Sequence, residues 1–145
     1  MAETLGSLCD KLTIVKLKQY HIEDAIRLNS LSLQENNLID EIDHYLSDAL
    51  IGKIPTDKLI FSANKVYKKE GNEIADMKGS IGDFVSKLAE VNCQLWHEQE
   101  KVYEFAKVPI VEKDTVVKQL ALLNLQRNKC IDEIDNALKT SIEKR

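Results

Sequence analysis

Three polar residues recur with the same spacing in two parts of the chain. An Asn and two Asp occupy positions i, i+4 and i+7, a spacing that places them along one side of a helix. If two such helices pack side by side, the four carboxylates converge, and clustered carboxylates are ligands that Mg²⁺ prefers. One interpretation is therefore the Mg²⁺ site of a phosphohydrolase that acts on a nucleotide or sugar nucleotide; the other is a solvated flank beside the core. The residues are Asn36, Asp40 and Asp43 and their counterparts Asn128, Asp132 and Asp135, the four Asp being the candidate metal ligands.

Charged residues also interrupt stripes of apolar residues that are predicted to be buried. Glu35 and Arg127 occupy equivalent positions with opposite charge, and Glu98 interrupts a third stripe. Because a charge buried alone costs several kcal/mol, we expect Arg127 to meet Glu35, Glu98 or a bound anion. The bridge is then either structural or part of a phosphate or sugar-phosphate site. The candidate ligand-binding residues are Arg127, Glu35, Glu98, Asn128, Trp96 and His97.

Two histidines each precede an acidic residue by three positions. His21 with Asp24, and His97 with Glu100, would share a helix face, where an imidazole and a carboxylate can hold a metal ion together. Di-iron bundles use the reverse order, Glu-x-x-His, and these pairs point away from the main apolar stripe. The sequence therefore favours hydrogen-bonded pairs at the edge of a hairpin over a metal site.

These residues stand in an internal duplication. Residues 6–24 align with 82–100, sharing Gly, Lys-Leu, Val and an aromatic-His pair, and residues 31–46 align with 123–138, sharing Ile-Asp-Glu-Ile-Asp. The second copy holds 16 extra residues between its two blocks. The pattern predicts an ancestral two-helix unit that was doubled.

Each block has the three-and-four periodicity of an amphipathic helix. The chain is therefore predicted to be one all-α domain of residues 1–145: repeat 1 at about 5–50, a connector with a short helix at 51–80, and repeat 2 at about 81–145. Four main helices pack as a bundle. The predicted buried stripes of the first and third helices are Leu8, Leu12, Val15, Gln19, Ile22, Ile26 and Phe84, Leu88, Val91, Leu95, Glu98, Val102. Those of the second and fourth are Leu28, Leu31, Glu35, Ile39, Ile42, Leu46 and Leu120, Leu123, Arg127, Ile131, Ile134, Leu138.

Turn and cap residues predict where the first hairpin bends. The turn is expected near Asn29 and Ser30, with Ser32 and Glu35 as a capping box.

Glycine and proline residues predict where the later helices begin and end. Residues 52–55 break the chain, and Thr56 is expected to cap a connecting helix that runs to about Lys69. Pro109 ends the helix of Trp96, and the last helix is expected to start near Asp114 or Thr115.

Composition narrows the function classes. The net charge is -4, and no dense basic run or aromatic platform is present, so nucleic acid is not the expected partner. No apolar run reaches the roughly 20 residues that cross a bilayer, which predicts a cytoplasmic protein without a membrane segment. Cys9, Cys93 and Cys130 fit neither a disulfide framework nor zinc spacing, and the last two replace leucines of the other copy, which favours core packing.

Two blocks carry a family resemblance. Residues 88–100 read LAEVNCQLWHEQE and residues 123–135 read LNLQRNKCIDEID. They resemble domain of unknown function 4254, whose members pair L-x-x-N-x-x-L-W-H-x-E-D with a later L-N-x-x-R-N-x-x-I/V-x-x-I-D. The opening ETLGSLCDKLTIVKLK at 3–18 is similar to the start of domain of unknown function 6165.

The resemblance implies an all-helical bacterial or phage protein of a kind that accompanies surface-polysaccharide genes, without an established activity. The family's E-D-x-x-R stands at 23–27, but residues 99–103 read QEKVY. Taken together, the sequence favours a non-enzymatic interaction or small-anion-binding module, with the Mg²⁺-dependent phosphohydrolase as the alternative. A second apolar stripe on the first helix also predicts a homodimer or protein partner.

Overall fold

The computed structural model describes residues 3–61 and 77–145 of the chain. Within these ranges lie four α-helices: α1 (Leu5–His21), α2 (Ala25–Leu50), α3 (Ile81–Tyr103) and α4 (Ile110–Glu143). Two short 3-10 helices, Thr56–Lys58 and Phe105–Lys107, follow α2 and α3. The described residues contain no strand, and the predicted all-α four-helix bundle is confirmed.

Side chains cap the starts of α1, α2 and α3. The Ser7 N–H donates to the Thr4 hydroxyl at 3.3 Å, and the Thr4 N–H donates to the Ser7 hydroxyl at 2.9 Å. Ser80 and Asp83 form the same reciprocal capping box at α3, and the Asp24 carboxylate accepts from the first-turn N–H groups of α2. These caps satisfy donors that a helix start leaves unpaired, which is why the helices begin where they do.

The helices pack as two hairpins. α2 packs on α1, α3 packs along α4, and α1 also contacts both α3 and α4. A core of buried apolar side chains joins them, and each fully buried Leu or Ile stabilises the fold by about 1.5–3 kcal/mol. The largest fully buried side chains are Leu8, Leu59, Leu88, Val91, Cys130 and Ile134.

The turn of the first hairpin comes earlier than the predicted Asn29 and Ser30. Asp24 is the physical reason, since its carboxylate caps α2 immediately after α1 ends. Ser32 and Glu35 consequently lie inside α2, and the prediction that they form a capping box was wrong.

The break after α2 is confirmed, with Gly52 in the left-handed region at a φ of 82°. The connecting helix is not found where it was expected to begin, because Thr56 starts a single 3-10 turn and residues 59–61 are not helical. The rest of that predicted helix, to about Lys69, lies outside the described residues.

The second hairpin bends just before Pro109, but the helix of Trp96 ends earlier than the proline that was expected to end it. α3 ends at Tyr103, and α4 begins directly after Pro109. The last helix therefore starts four to five residues before the predicted Asp114 or Thr115, because a proline preceding the first helical residue needs no backbone donor of its own.

The predicted stripes are buried only in part, since Ile39 in the middle of the α2 stripe is 40% exposed. Leu8 and Val15 of α1 and Leu88 and Val91 of α3 are buried. Ile26 is 82% exposed, because the early turn moves it from α1 to the start of α2. None of the helices in the described ranges combines the length and hydrophobicity required to span a bilayer.

Candidate functional site

A buried polar cluster links three helices. Asp10 of α1 is 6% exposed and accepts a hydrogen bond from the Asn92 side chain of α3 at 2.9 Å. The same amide nitrogen of Asn92 donates to the Thr13 hydroxyl at 2.8 Å. Arg127 of α4 forms an ion pair with Asp10, with 3.4 Å between Nε and the carboxylate. These contacts fix α1, α3 and α4 against one another through groups that are costly to leave unpaired.

Arg127 thus has a carboxylate partner, but a different one from those predicted. Glu35 accepts from Gln19 at 2.7 Å and pairs with Lys16 at 3.2 Å, contacts that lower its pKa. Glu98 pairs with its neighbour Lys101 at 3.0 Å. The expectation that Arg127 meets Glu35 or Glu98 was therefore wrong.

Asp10 could not be recognised from the duplication, because the two copies do not share it. Asp10 aligns with Ser86, and its partner Asn92 aligns with Lys16. The cluster is thus built from positions at which the two copies differ. One feature of the sequence could still have indicated this cluster. Asp10 is a carboxylate two residues from Leu8, an apolar residue that is buried.

A second buried carboxylate lies at the start of α1. Asp135 of α4 is 3% exposed and accepts from the Gly6 N–H at 2.7 Å, and the Thr4 hydroxyl also hydrogen-bonds to it. Burial raises the pKa of Asp135 to about 6, and the nearby Asp132 acts in the same direction. The Gly6 and Thr4 hydrogen bonds oppose that shift without cancelling it.

Gly6 explains why this carboxylate can reach the α1 backbone. A Cβ placed on Gly6 would lie 2.4 Å from the carbonyl oxygen of Ile131, far inside normal contact. Only glycine therefore allows α1 and α4 to approach this closely. The aligned Gly82 has no such constraint, since a Cβ there would meet only the Ser80 hydroxyl at 3.8 Å.

Both buried carboxylates line one cavity of about 360 Å³ between α1 and α4. Two cations, four carboxylates, one amide and two hydroxyls face it, together with two apolar side chains. Each cation has a carboxylate partner within the cavity wall, Lys11 with Glu3 and Arg127 with Asp10. We call this space the Arg127 cavity; it is lined by Glu3, Thr4, Ser7, Asp10, Lys11, Phe61, Arg127, Asn128, Ile131, Asp132 and Asp135.

The four Asp proposed as metal ligands do not converge. Asp132 and Asp135 line the Arg127 cavity, whereas Asp40 and Asp43 are exposed on α2. Among the residues that the structure describes, no three His, Cys, Asp or Glu side chains come together as a metal site. The reason is topological: α2 packs mainly on α1, and α4 packs on α3 and α1, so the twin Asp pairs face different surroundings.

The fold separates the first His-x-x-acid pair, whereas His97 and Glu100 both lie on α3. His21 is the last residue of α1, and Asp24 is the cap of α2. His21 stacks on Trp96, with ring centroids 4.8 Å apart, and the indole N–H of Trp96 donates to Glu100 at 2.8 Å. His97 is exposed on α3 and lies outside the Arg127 cavity, as do Trp96, Glu98 and Glu35. Of the six proposed ligand-binding residues, the cavity contains Arg127 and Asn128.

Of the two cysteines that were predicted to pack in the core, only one is buried. Cys130 is fully buried in the core, with its sulfur 3.7 Å from that of Met77. Cys93 is exposed, so its predicted core role was wrong. Cys9 is half-buried, and desolvation raises its pKa to about 11, which leaves the thiol neutral and weakly nucleophilic.

Compared with known proteins, the chain matches no protein-family model. No curated protein and no solved structure shows significant similarity to it. The two family resemblances therefore stay predictions, and the Arg127 cavity carries the functional argument.

Proposed function

We propose that this protein is a non-enzymatic helical bundle that binds a small, hydroxyl-rich molecule, such as a sugar, in the Arg127 cavity. The observation that carries the proposal is the presence of both hydrogen-bond donors and acceptors around one space of about 360 Å³. That volume falls within the range of about 300–1,000 Å³ that is usual for small-molecule sites.

A hydroxyl group matches this lining because it both donates and accepts. Arg127, Lys11 and the Asn128 amide supply donors, and carboxylates such as Asp10 and Asp132 supply acceptors. Phe61 and Ile131 add apolar surface for the C–H faces of a ring-shaped ligand. A ligand with several neighbouring hydroxyls would use donors and acceptors together.

Charge favours a neutral ligand over the phosphate suggested by the sequence. Four carboxylates and two cations line the cavity, and both cations already have carboxylate partners. A phosphate at Arg127 or Lys11 would compete with the carboxylate already paired there and would face the remaining carboxylates of the wall. In a sugar phosphate, the sugar is accordingly the part that would enter.

The phosphohydrolase alternative has less support. Two of its four candidate ligands, Asp40 and Asp43, lie on α2 outside the Arg127 cavity. In the proposed role, the carboxylates position donors and accept hydroxyl hydrogens without taking part in bond cleavage.

A thermal-shift screen followed by calorimetry tests the proposal. The probes are neutral monosaccharides and disaccharides, the corresponding sugar phosphates, and inorganic phosphate with and without Mg²⁺. A ligand at 100 times its dissociation constant adds about 2.7 kcal/mol to the free energy of unfolding, which raises the Tm measurably. We expect this shift with a neutral sugar.

Asn128→Ala should reduce that shift, because Asn128 lines the cavity. Asn36→Ala is the matched control, since Asn36 aligns with Asn128 but is exposed on α2. Equal loss in both variants, or stabilisation by inorganic phosphate alone, would contradict a hydroxyl-binding cavity. An absence of shift with every probe would remove the ligand-binding function.

A second candidate function is a protein contact at the bend of the second hairpin. Ile110 and Val111 at the start of α4 are 85% and 88% exposed, and Tyr103 at the end of α3 is 81% exposed. Neighbouring exposed apolar residues are a feature of interaction surfaces. If they mediate self-association, light scattering will give a dimer mass that Val111→Lys reduces to the monomer, whereas a monomer at all concentrations argues against a homodimer.

A further inference from the structure

Asp135 connects the Arg127 cavity to the first turn of α1. Its carboxylate accepts the Gly6 N–H at 2.7 Å and lies beside the Thr4 hydroxyl. The same turn contributes Glu3, Thr4 and Ser7 to the cavity wall. The position of this turn relative to α4 therefore sets the shape of the cavity.

The first turn of α1 is in direct contact with α4, so the turn cannot move closer to that helix. At Gly6 the α1 backbone rests directly against the carbonyl of Ile131, without an intervening side chain. Docking of the turn buries Asp135, and undocking would return its carboxylate to water. The docked and undocked states thus differ in the cost of a negative charge on Asp135.

Titratable groups from three helices surround Asp135. Asp132 of α4 disfavours its charged form. Cys9 of α1 and Tyr45 of α2 are neutral at physiological pH, since their ordinary pKa values of 9.0 and 10.0 already lie above it and burial raises them to about 11 and about 12. The other charged groups on the cavity wall are Glu3, Asp10, Lys11 and Arg127.

We infer that Asp135 is a proton-sensitive contact: in its neutral form it holds the first turn of α1 against α4, and ionisation loosens that turn at the wall of the Arg127 cavity. Burial raises the pKa of Asp135 from its ordinary 3.8 to about 6. Between these values the docked state binds more protons than the undocked state. Docking is therefore strongest at acidic pH and weakens as the pH rises toward 6.

Amide hydrogen exchange of the full chain, measured by NMR between pH 4 and pH 7, tests the inference without a ligand. After correction for intrinsic exchange rates, the protection of the Gly6 N–H should fall by roughly fiftyfold in the wild-type protein, because a pKa raised from 3.8 to about 6 corresponds to about two factors of ten and the range from pH 4 to pH 7 covers most of that change. Asp135→Asn should show no such fall. Asp43→Asn, which changes the aligned and exposed residue of α2, should behave as the wild type does.

A wild-type titration keeps the inference testable if Asp135→Asn does not fold. The chemical shift of the Gly6 N–H should change with a midpoint near pH 6. A midpoint near pH 4, protection that rises with pH, or the same fall in Asp135→Asn would overturn the inference. None of these measurements uses a ligand. A negative result would therefore contradict the proton-sensitive contact without contradicting the proposed function.

Discussion

Helices α2 and α4 carry the same five residues, Ile-Asp-Glu-Ile-Asp, in opposite environments. In α2 the block occupies residues 39–43 and ends at the exposed Asp43. In α4 it occupies residues 131–135 and ends at Asp135, which is 3% exposed and has its pKa raised to about 6. The chemistry of each carboxylate is thus set by what its helix packs against.

The packing difference has an identifiable origin. α4 lies directly against the start of α1, where Gly6 has no side chain and presents a backbone N–H to Asp135. α2 contacts α1 through pairs that include the exposed Lys16 and the half-buried Glu35, and a cavity of about 290 Å³ between these helices has Glu41, an exposed residue, as its one carboxylate. The α1–α4 interface therefore differs from the α1–α2 interface in that its cavity is lined by buried carboxylates.

Asp10→Ala should have the largest effect on stability. It leaves Arg127 and Asn92 without the carboxylate that both contact. Removing one partner of a buried pair costs about 3–5 kcal/mol, and partial exposure of Arg127 places the expected loss at about 3 kcal/mol. Urea unfolding measures it. A loss below that of a surface substitution would mean that the α1–α4 interface depends on apolar contacts alone.

Gly6→Ala should come next, with a loss of about 2 kcal/mol, because the added methyl forces α1 away from Ile131. Gly82→Ala supplies the matched control at the aligned position of α3. Space is available there, so alanine should stabilise the helix by about 0.4–1 kcal/mol. Equal effects of the two substitutions on the urea midpoint would show that the close α1–α4 approach does not exist.

Glu35→Ala should have the smallest effect, well below that of Gly6→Ala, because its partners Lys16 and Gln19 stay in contact with water. The loss should shrink further in high salt, which screens such pairs. A loss as large as that of Asp10→Ala would reverse the contrast between the two interfaces.

Periodicity predicted the helices well, because burial of an amphipathic face depends on spacing within one segment. Leu88, Val91 and Ile134 are buried as their stripes required. The first turn was misplaced because two cap signals competed, and Asp24 satisfies the α2 backbone while Ser32 continues the helix.

The site was predicted only in part. Arg127 was expected to need a carboxylate, and it has one, but the partner depends on how separate helices align in space. Asp10 and Asn92 have no counterparts in the other copy, so the repeat gave no indication of them. The sequence shows a glycine at both of the aligned positions 6 and 82. Only the packing shows that, of these two, Gly6 has no room for a side chain.

The hydrogen bond between Gly6 and Asp135 joins positions 129 residues apart. Bringing such distant segments together carries a larger entropic cost than closing a hairpin, so contacts of this kind form late in folding. During synthesis, the α1–α2 hairpin can form while α4 is still being translated, but the cavity wall cannot. A nascent or truncated chain that ends before α4 would thus lack one wall of the Arg127 cavity.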